Sequence, residues 1–189
     1  MLQLASRSPR RAELLARLGL AFGILDLDVP EQQGSSEAAH DYVRRVAREK
    51  AGAGLLEVVA VPGAVVLGAD TEVILDGEVF GKPTDADAAA AMLRRLSGRT
   101  HEVLTALSVV TAGREARAEA LTTVSVEPLS EDAITRYLAS DEWRGKAGGY
   151  AIQGVFEAHI VRLEGSYSGV MGLPLRETAA LLRKFGVLT

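Results

Sequence analysis

The acid pair Asp70 and Glu72 follows a short apolar run, Val65-Val66-Leu67, through two small residues, Gly68 and Ala69. A β-branched and apolar run of this kind has the composition of a buried strand. Carboxylates that emerge where such a strand ends lie where open α/β sheets place their ligand crevice. There Asp70 could hold a divalent cation through oxygen, or take a proton from water. The plainer alternative is a strand end turning into solvent, with Asp70 capping the turn.

A second group lies near the start. Leu2 to Ala5 reads as a short strand, and Ser6-Arg7-Ser8-Pro9-Arg10-Arg11 follows it. Ser8 is a good N-cap and Pro9 suits the first helical position, so a helix is expected to begin there. Its apolar stripe is Leu14, Leu15 and Leu18, and Gly19 ends it. Free backbone N–H groups and the helix dipole favour an anion at such a terminus, and arginine adds forked donors for phosphate oxygens. An ordinary capped helix with solvated arginines is the alternative.

Composition narrows the class. The 189 residues suffice for one well-packed domain or two small lobes sharing a core. Hydrophobic residues make up 48% and charged residues 24%, ordinary for a globular protein. A net charge of −4 advertises no nucleic-acid surface. Basic residues do cluster, at Arg7/Arg10/Arg11, Arg44/Arg45/Arg48/Lys50 and Arg94/Arg95/Arg99, which suits a small phosphorylated ligand better than a polymer. The absence of cysteine excludes disulfides, thiolate zinc sites and a cysteine nucleophile. With neither a signal segment nor a membrane-length apolar run, the expectation is a cytoplasmic protein with no membrane partner.

The remaining elements are a strand over Phe22 to Val29, a helix from Glu37 to Leu56, and a hairpin turning at Asp76-Gly77. A helix from Asp85 to Leu96, capped by Thr84, comes next. An antiparallel pair is expected from His101–Val110 and Ala120–Val126, then a helix from Ser130 to Ala139. Glycine-bearing loops over 140–150 and 165–174 flank a strand at Ala158–Leu163, and a last helix runs from Pro174 to Phe185. Hairpins mixed with crossovers indicate an α/β class built on a mixed sheet. Neither a Walker motif nor a Gly-x-Gly-x-x-Gly fingerprint is present. His40, His101 and His159 are isolated, which argues against a histidine metal site. Lys50 and Lys82 read as solvated lysines on helix and turn statistics alone.

An arginine-bearing helix N-terminus, lysines at 50, 82 and 146 and acids at 31, 70 and 72 form the equipment of a metal-assisted phosphoryl or nucleotidyl hydrolase.

Several blocks also resemble one family. They are Leu4-Ala5-Ser6-Arg7-Ser8-Pro9-Arg10-Arg11, Ala47-Arg48-Glu49-Lys50-Ala51, Gly68-Ala69-Asp70-Thr71 and Gly81-Lys82-Pro83, followed by Leu96 to Val103, Lys146 to Gly154 and Gly172-Leu173-Pro174-Leu175. In this order they resemble the Maf family across nearly the whole chain. The resemblance implies a single Maf-like domain over residues 1–189. Its fold would be an elongated α/β domain on a mixed, twisted sheet with flanking helices, akin to the inosine-triphosphatase-like fold, with two lobes around a cleft. It further implies a homodimer, and hydrolysis of nucleoside triphosphates to monophosphate and pyrophosphate with Mg²⁺ or Mn²⁺.

Carried over by position, Ser8, Arg10 and Arg11 match the phosphate-binding motif, with Lys146 a further substrate contact. Glu31, Lys50, Asp70, Lys82 and Gln153 match the catalytic and metal positions, Asp70 being the proton acceptor. Asp70, Glu31 and Gln153 are the implied metal ligands, with Asp28 the fallback for Glu31. Arg10, Thr71 and Gln153 fall on the dTTP/UTP side of the family rather than the 7-methyl-GTP side. Thr71 and Gln153 offer neutral donors and acceptors that suit a uracil or thymine edge. The competing class is a nucleotide-binding regulator of septum formation.

Overall fold

The computed structural model describes residues 1–189. In chain order the elements are β1 (Leu2–Ala5), α1 (Pro9–Ala16), β2 (Phe22–Ile24), α2 (Ala39–Glu57), β3 (Val65–Leu75), β4 (Glu78–Phe80) and α3 (Ala86–Leu96). They continue with β5 (Thr100–Thr111), β6 (Arg114–Val126), α4 (Glu131–Leu138), β7 (Ile160–Glu164), α5 (Tyr167–Met171) and α6 (Leu175–Lys184). The strands form one mixed sheet in the order β2-β1-β3-β5-β6-β7, with β4 paired to β3. β1 runs parallel to β2 and β3, and every other pairing is antiparallel. No helix is long and apolar enough to cross a membrane.

Alternation along β3 divides the molecule into layers. Leu67, Ala69, Val73 and Leu75 face the larger core, with Leu14 and Leu15 of α1, Leu93 and Leu96 of α3, Ile134 and Tyr137 of α4, and Leu181 and Leu182 of α6. On the opposite face α2 lays Tyr42, Val43, Val46 and Ala47 against Ile74, Leu104 and Ala106. α2 lies close to the sheet because residue 68 is glycine. A Cβ there would be 2.5 Å from the Ala47 carbonyl oxygen and the Ala51 nitrogen, both backbone atoms that cannot step aside.

The hairpin at Asp76-Gly77 forms as expected, both residues having positive φ (53° and 81°), as a two-residue turn between right-twisted strands requires. Five expectations are corrected. β6 begins at Arg114 instead of Ala120, because β5 pairs with it from Thr111 onward, and the stretch 165–174 is not all loop, since α5 occupies Tyr167–Met171 behind the Ser166 cap. β3 does not end at Asp70 but continues to Leu75, because β5 pairs with it from Val66 to Ile74. β2 stops at Ile24 instead of Val29. Its partner β1 is only four residues long, so beyond the Leu4–Ile24 pair and the Leu25 amide bonded to the Leu4 carbonyl no strand remains to pair with. Asp85, not Thr84, caps α3, its Oδ1 accepting from the Ala88 amide at 2.7 Å.

The site arises from unequal strand lengths. β1 last pairs with β3 at Gly68, and β4 first pairs at Val73. Between these points Ala69 to Glu72 have a sheet neighbour only on the β5 side. The break in the sheet is the floor of a cleft.

Candidate active site

That cleft has a volume of about 570 Å³ and takes its lining from both sides of the break. Every residue singled out by the family resemblance lines it: Ser8, Arg10 and Arg11; Glu31 and Lys50; Asp70 and Thr71; Lys82; Lys146 and Gln153.

The arginine wall comes from α1. Ser8 is the N-cap, with its side chain accepting from the Arg11 amide, and Pro9 opens the helix. Arg11 is 9% exposed and donates to three neutral oxygens: the Gly172 carbonyl at 2.8 Å, Ser6 Oγ at 3.3 Å and Thr71 Oγ1 at 3.1 Å. Burial lowers its pKa, opposed by the charges of Asp70, Glu31 and Glu72. Arg10 donates from Nε to the Met171 carbonyl at 3.3 Å, and burial followed by the Arg11 charge lowers its pKa.

The rest of the basic clusters is accounted for by acids. Arg7 pairs with Asp26, Arg44 with Glu119, Arg45 with Glu37 and Glu49, and Arg48 with Glu115. Arg94, Arg95 and Arg99 pair with Glu131, Glu78 and Asp76. Within the three clusters only Arg10 and Arg11 have no carboxylate partner. A buried guanidinium held by neutral oxygens retains N–H donors and charge for an anion.

Opposite lies a chain of ion pairs anchored on α2 and β3. Lys50 is not the solvated lysine that the charge run suggested; it is 8% exposed. Its Nζ lies 2.7 Å from Asp70 Oδ1 and 2.6 Å from Glu31 Oε1. Lys82 reaches Glu31 Oε2 at 2.6 Å, although its side chain is 53% exposed. Burial raises the Glu31 pKa, but hydrogen bonds from Lys50 and Lys82 outweigh it and hold the carboxyl at about 2. Asp28, the fallback, is a solvent-facing carboxylate 3.7 Å from Arg7.

Asp70 is 3% exposed, and its Oδ2 has no hydrogen-bond partner. Glu72, two residues along on the same face, is 5% exposed and its Oε2 is equally unpartnered. Burial, and then the Asp70 charge, push the Glu72 carboxyl up to about 8. Lys146 donates to the Arg144 carbonyl, and burial and then Arg10 lower its pKa. The Gln153 side chain is exposed at the mouth.

The chain matches the family described as Maf: Maf-like protein over residues 1–185. It belongs to that family. The dTTP/UTP pyrophosphatase of Xanthomonas axonopodis pv. citri (strain 306) is 57% identical over 98% of this chain and 99% of its own. The nucleoside triphosphate pyrophosphatase of Xylella fastidiosa (strain 9a5c) is 56% identical, with 98% of each chain covered. Among solved structures, the Staphylococcus aureus Ham1 protein is similar at a TM-score of 0.48 and 13% identity, over 66% of this chain and 71% of that one.

Against this Maf-like background, three contributors to the site carry no role in the residue-by-residue carry-over. Ser6 and Thr105 hold the arginine wall. Thr105 donates to the Gly169 carbonyl at 2.7 Å, so the Thr71 hydroxyl donates to Thr105 Oγ1 at 2.8 Å and accepts from Arg11. The Thr71 hydroxyl is thus engaged inside the protein and not directed at a base. The third is Glu72, whose period-two spacing from Asp70 was the available signal.

Proposed function

We propose that this Maf-like chain hydrolyses nucleoside triphosphates, dTTP and UTP foremost, to the monophosphate and pyrophosphate. The observation that carries the reading is the opposition, across one cleft, of two arginines lacking carboxylate partners and a buried Lys50–Asp70 pair. The names of the Xanthomonas and Xylella relatives support the same reaction.

In this mechanism the triphosphate oxygens take the open donors of Arg10 and Arg11, with Ser8 and the α1 terminus beside them and Lys146 at the rim. Lys82 and Lys50 add positive charge beside the polyphosphate while remaining paired with Glu31. Asp70 accepts the proton of the attacking water as the anhydride between the α- and β-phosphorus breaks and pyrophosphate leaves. Lys50 fixes the Asp70 carboxylate in place through the 2.7 Å contact. Gln153, exposed on the cleft lining, is the residue that meets the base in this reading.

A divalent cation, Mg²⁺ or Mn²⁺, fits the donor set, because Asp70 Oδ2 is a buried oxygen with no other partner. When bound it supplies charge neutralisation for the polyphosphate. Gln153 is open to contribute, whereas both Glu31 oxygens are engaged by lysines. The assembly we propose is a homodimer, checked by light scattering at twice the chain mass.

Purified protein with Mg²⁺ or Mn²⁺ and dTTP, UTP, CTP and 7-methyl-GTP, followed by product analysis, tests this reading. Pyrophosphate with dTMP or UMP is expected. Orthophosphate with a diphosphate overturns the reaction, and turnover of 7-methyl-GTP alone overturns the base preference. Binding without turnover favours the regulator of septum formation.

A further inference from the structure

We propose that Glu72 is a ligand of the divalent cation in this cleft, beside Asp70, and that Glu31 is not one. The assignment rests on the metal-assisted reading above and specifies its metal site.

Asp70 and Glu72 are two residues apart on β3, so their side chains leave the same face of the sheet. Both backbones are fixed by β5, through the pairs Asp70–Ala106 and Glu72–Leu104. Both carboxylates line the cleft, both are more than nine-tenths buried, and each keeps one oxygen without a partner. An uncompensated buried carboxylate is costly, and two side by side add repulsion. The surroundings offer Glu72 little relief, since its face of the sheet carries Ile74, Leu104 and the Tyr42, Val43 and Val46 side chains of α2. No lysine or arginine forms an ion pair with it, because Lys50 is engaged by Asp70 and Glu31, and Lys82 by Glu31. A cation between the two vacant oxygens resolves both problems.

The number of ligands identifies the kind of cation. No set of three or more His, Cys, Asp or Glu side chains converges on one point, which leaves positions for phosphate oxygens and water. Two carboxylates completed by phosphate oxygens and water are the usual arrangement for Mg²⁺, and for Mn²⁺ at the same sites. Glu31 would have to give up two 2.6 Å ion pairs to join them, whereas Glu72 has no ion pair to give up.

Mn²⁺ binding to the whole protein is measured by electron paramagnetic resonance of the free ion, with and without a non-hydrolysable α,β-methylene dUTP analogue. Glu72→Gln is expected to weaken Mn²⁺ binding about tenfold or more, while melting, without metal, at or above the wild-type temperature. Glu72→Asp, which keeps a shorter carboxylate, is expected to fall between them, and Glu31→Gln to bind Mn²⁺ within about twofold of wild type. Wild-type affinity in Glu72→Gln overturns the assignment, as does a wild type that binds no Mn²⁺ under either condition. Pyrophosphate release by the wild type is followed in parallel. Turnover combined with an unaffected Glu72→Gln leaves the pyrophosphatase reading standing, whereas Mn²⁺ binding that depends on Glu72 without turnover leaves the metal site standing.

Discussion

Lys50 Nζ sits 2.7 Å from Asp70 Oδ1 in a contact shielded from solvent on both sides, each side chain being at least nine-tenths buried. Removing one partner of such a pair strands the other charge, which costs about 3–5 kcal/mol. Lys50→Met is therefore expected to lower the unfolding free energy by an amount of this order, read by urea denaturation. Lys50→Arg, which keeps the charge, is expected to recover most of it.

Asp70→Asn keeps the shape and still accepts from Lys50, but removes the basic oxygen. The folded state is expected to persist by circular dichroism while kcat for pyrophosphate release falls about 10²–10⁴-fold, the range for loss of a positioned base. Near wild-type turnover would remove Asp70 from the chemistry.

The two arginines are expected to separate. Arg10 makes one long hydrogen bond to the Met171 carbonyl, so Arg10→Ala should raise KM for triphosphates about tenfold, as loss of one charge-assisted contact does, with little change in melting. Arg11 also ties α1 to Thr71 and the Gly172 carbonyl. Its alanine variant should lose about 1–3 kcal/mol of stability besides substrate affinity.

Thr71→Val removes the hydroxyl that links Arg11 to Thr105 while keeping the volume. KM is expected to rise for every triphosphate alike, because the lost contact orients Arg11. A changed ratio of kcat/KM between dTTP and CTP would instead show that Thr71 reads the base.

His101 gives a pH dependence of stability. It is 2% exposed, its Nε2 lies 2.7 Å from the Tyr150 hydroxyl, and Phe156 packs behind Tyr150. Burial pulls its pKa from 6.5 to about 4. Between those values the unfolded chain binds a proton at this residue that the native chain refuses, so the stability contributed by His101 rises with pH. The contribution is complete above about pH 6.5 and is lost progressively as pH falls toward 4, amounting to about 3 kcal/mol across the window. The stability difference between the wild type and His101→Gln should shift by about 2 kcal/mol between denaturant titrations at pH 7.5 and 5. This comparison cancels Glu72, whose raised carboxyl titrates in the same window with the opposite sign.

The sequence announced some of these features locally and hid others. The Asp76-Gly77 turn and the Ser8-Pro9 start of α1 were legible because short-range backbone rules decide them. The length of β3 was not, because acids within a strand read as its end unless a long partner such as β5 is known to hold it. Lys50 looked solvated within a charge run. Yet it lies four residues after Val46 and seven after Val43, on the buried stripe of α2, and that spacing was a usable signal. The engagement of Thr71 by Arg11 and Thr105 joins three distant segments, and no local pattern encodes it.

The close seating of α2 on Gly68 divides the site into parts of unequal stiffness. Where helix and strand backbones touch, no side-chain rotation can widen the gap, so the floor carrying Lys50 and Asp70 is as rigid as the core beneath it. The walls differ. Glu31 comes from a stretch without strand or helix between β2 and α2, and Lys146 and Gln153 flank a single short turn at Ala147–Gly149. Accommodation of ligands of different size therefore falls to the walls, while the position of Asp70 stays constant from one ligand to the next.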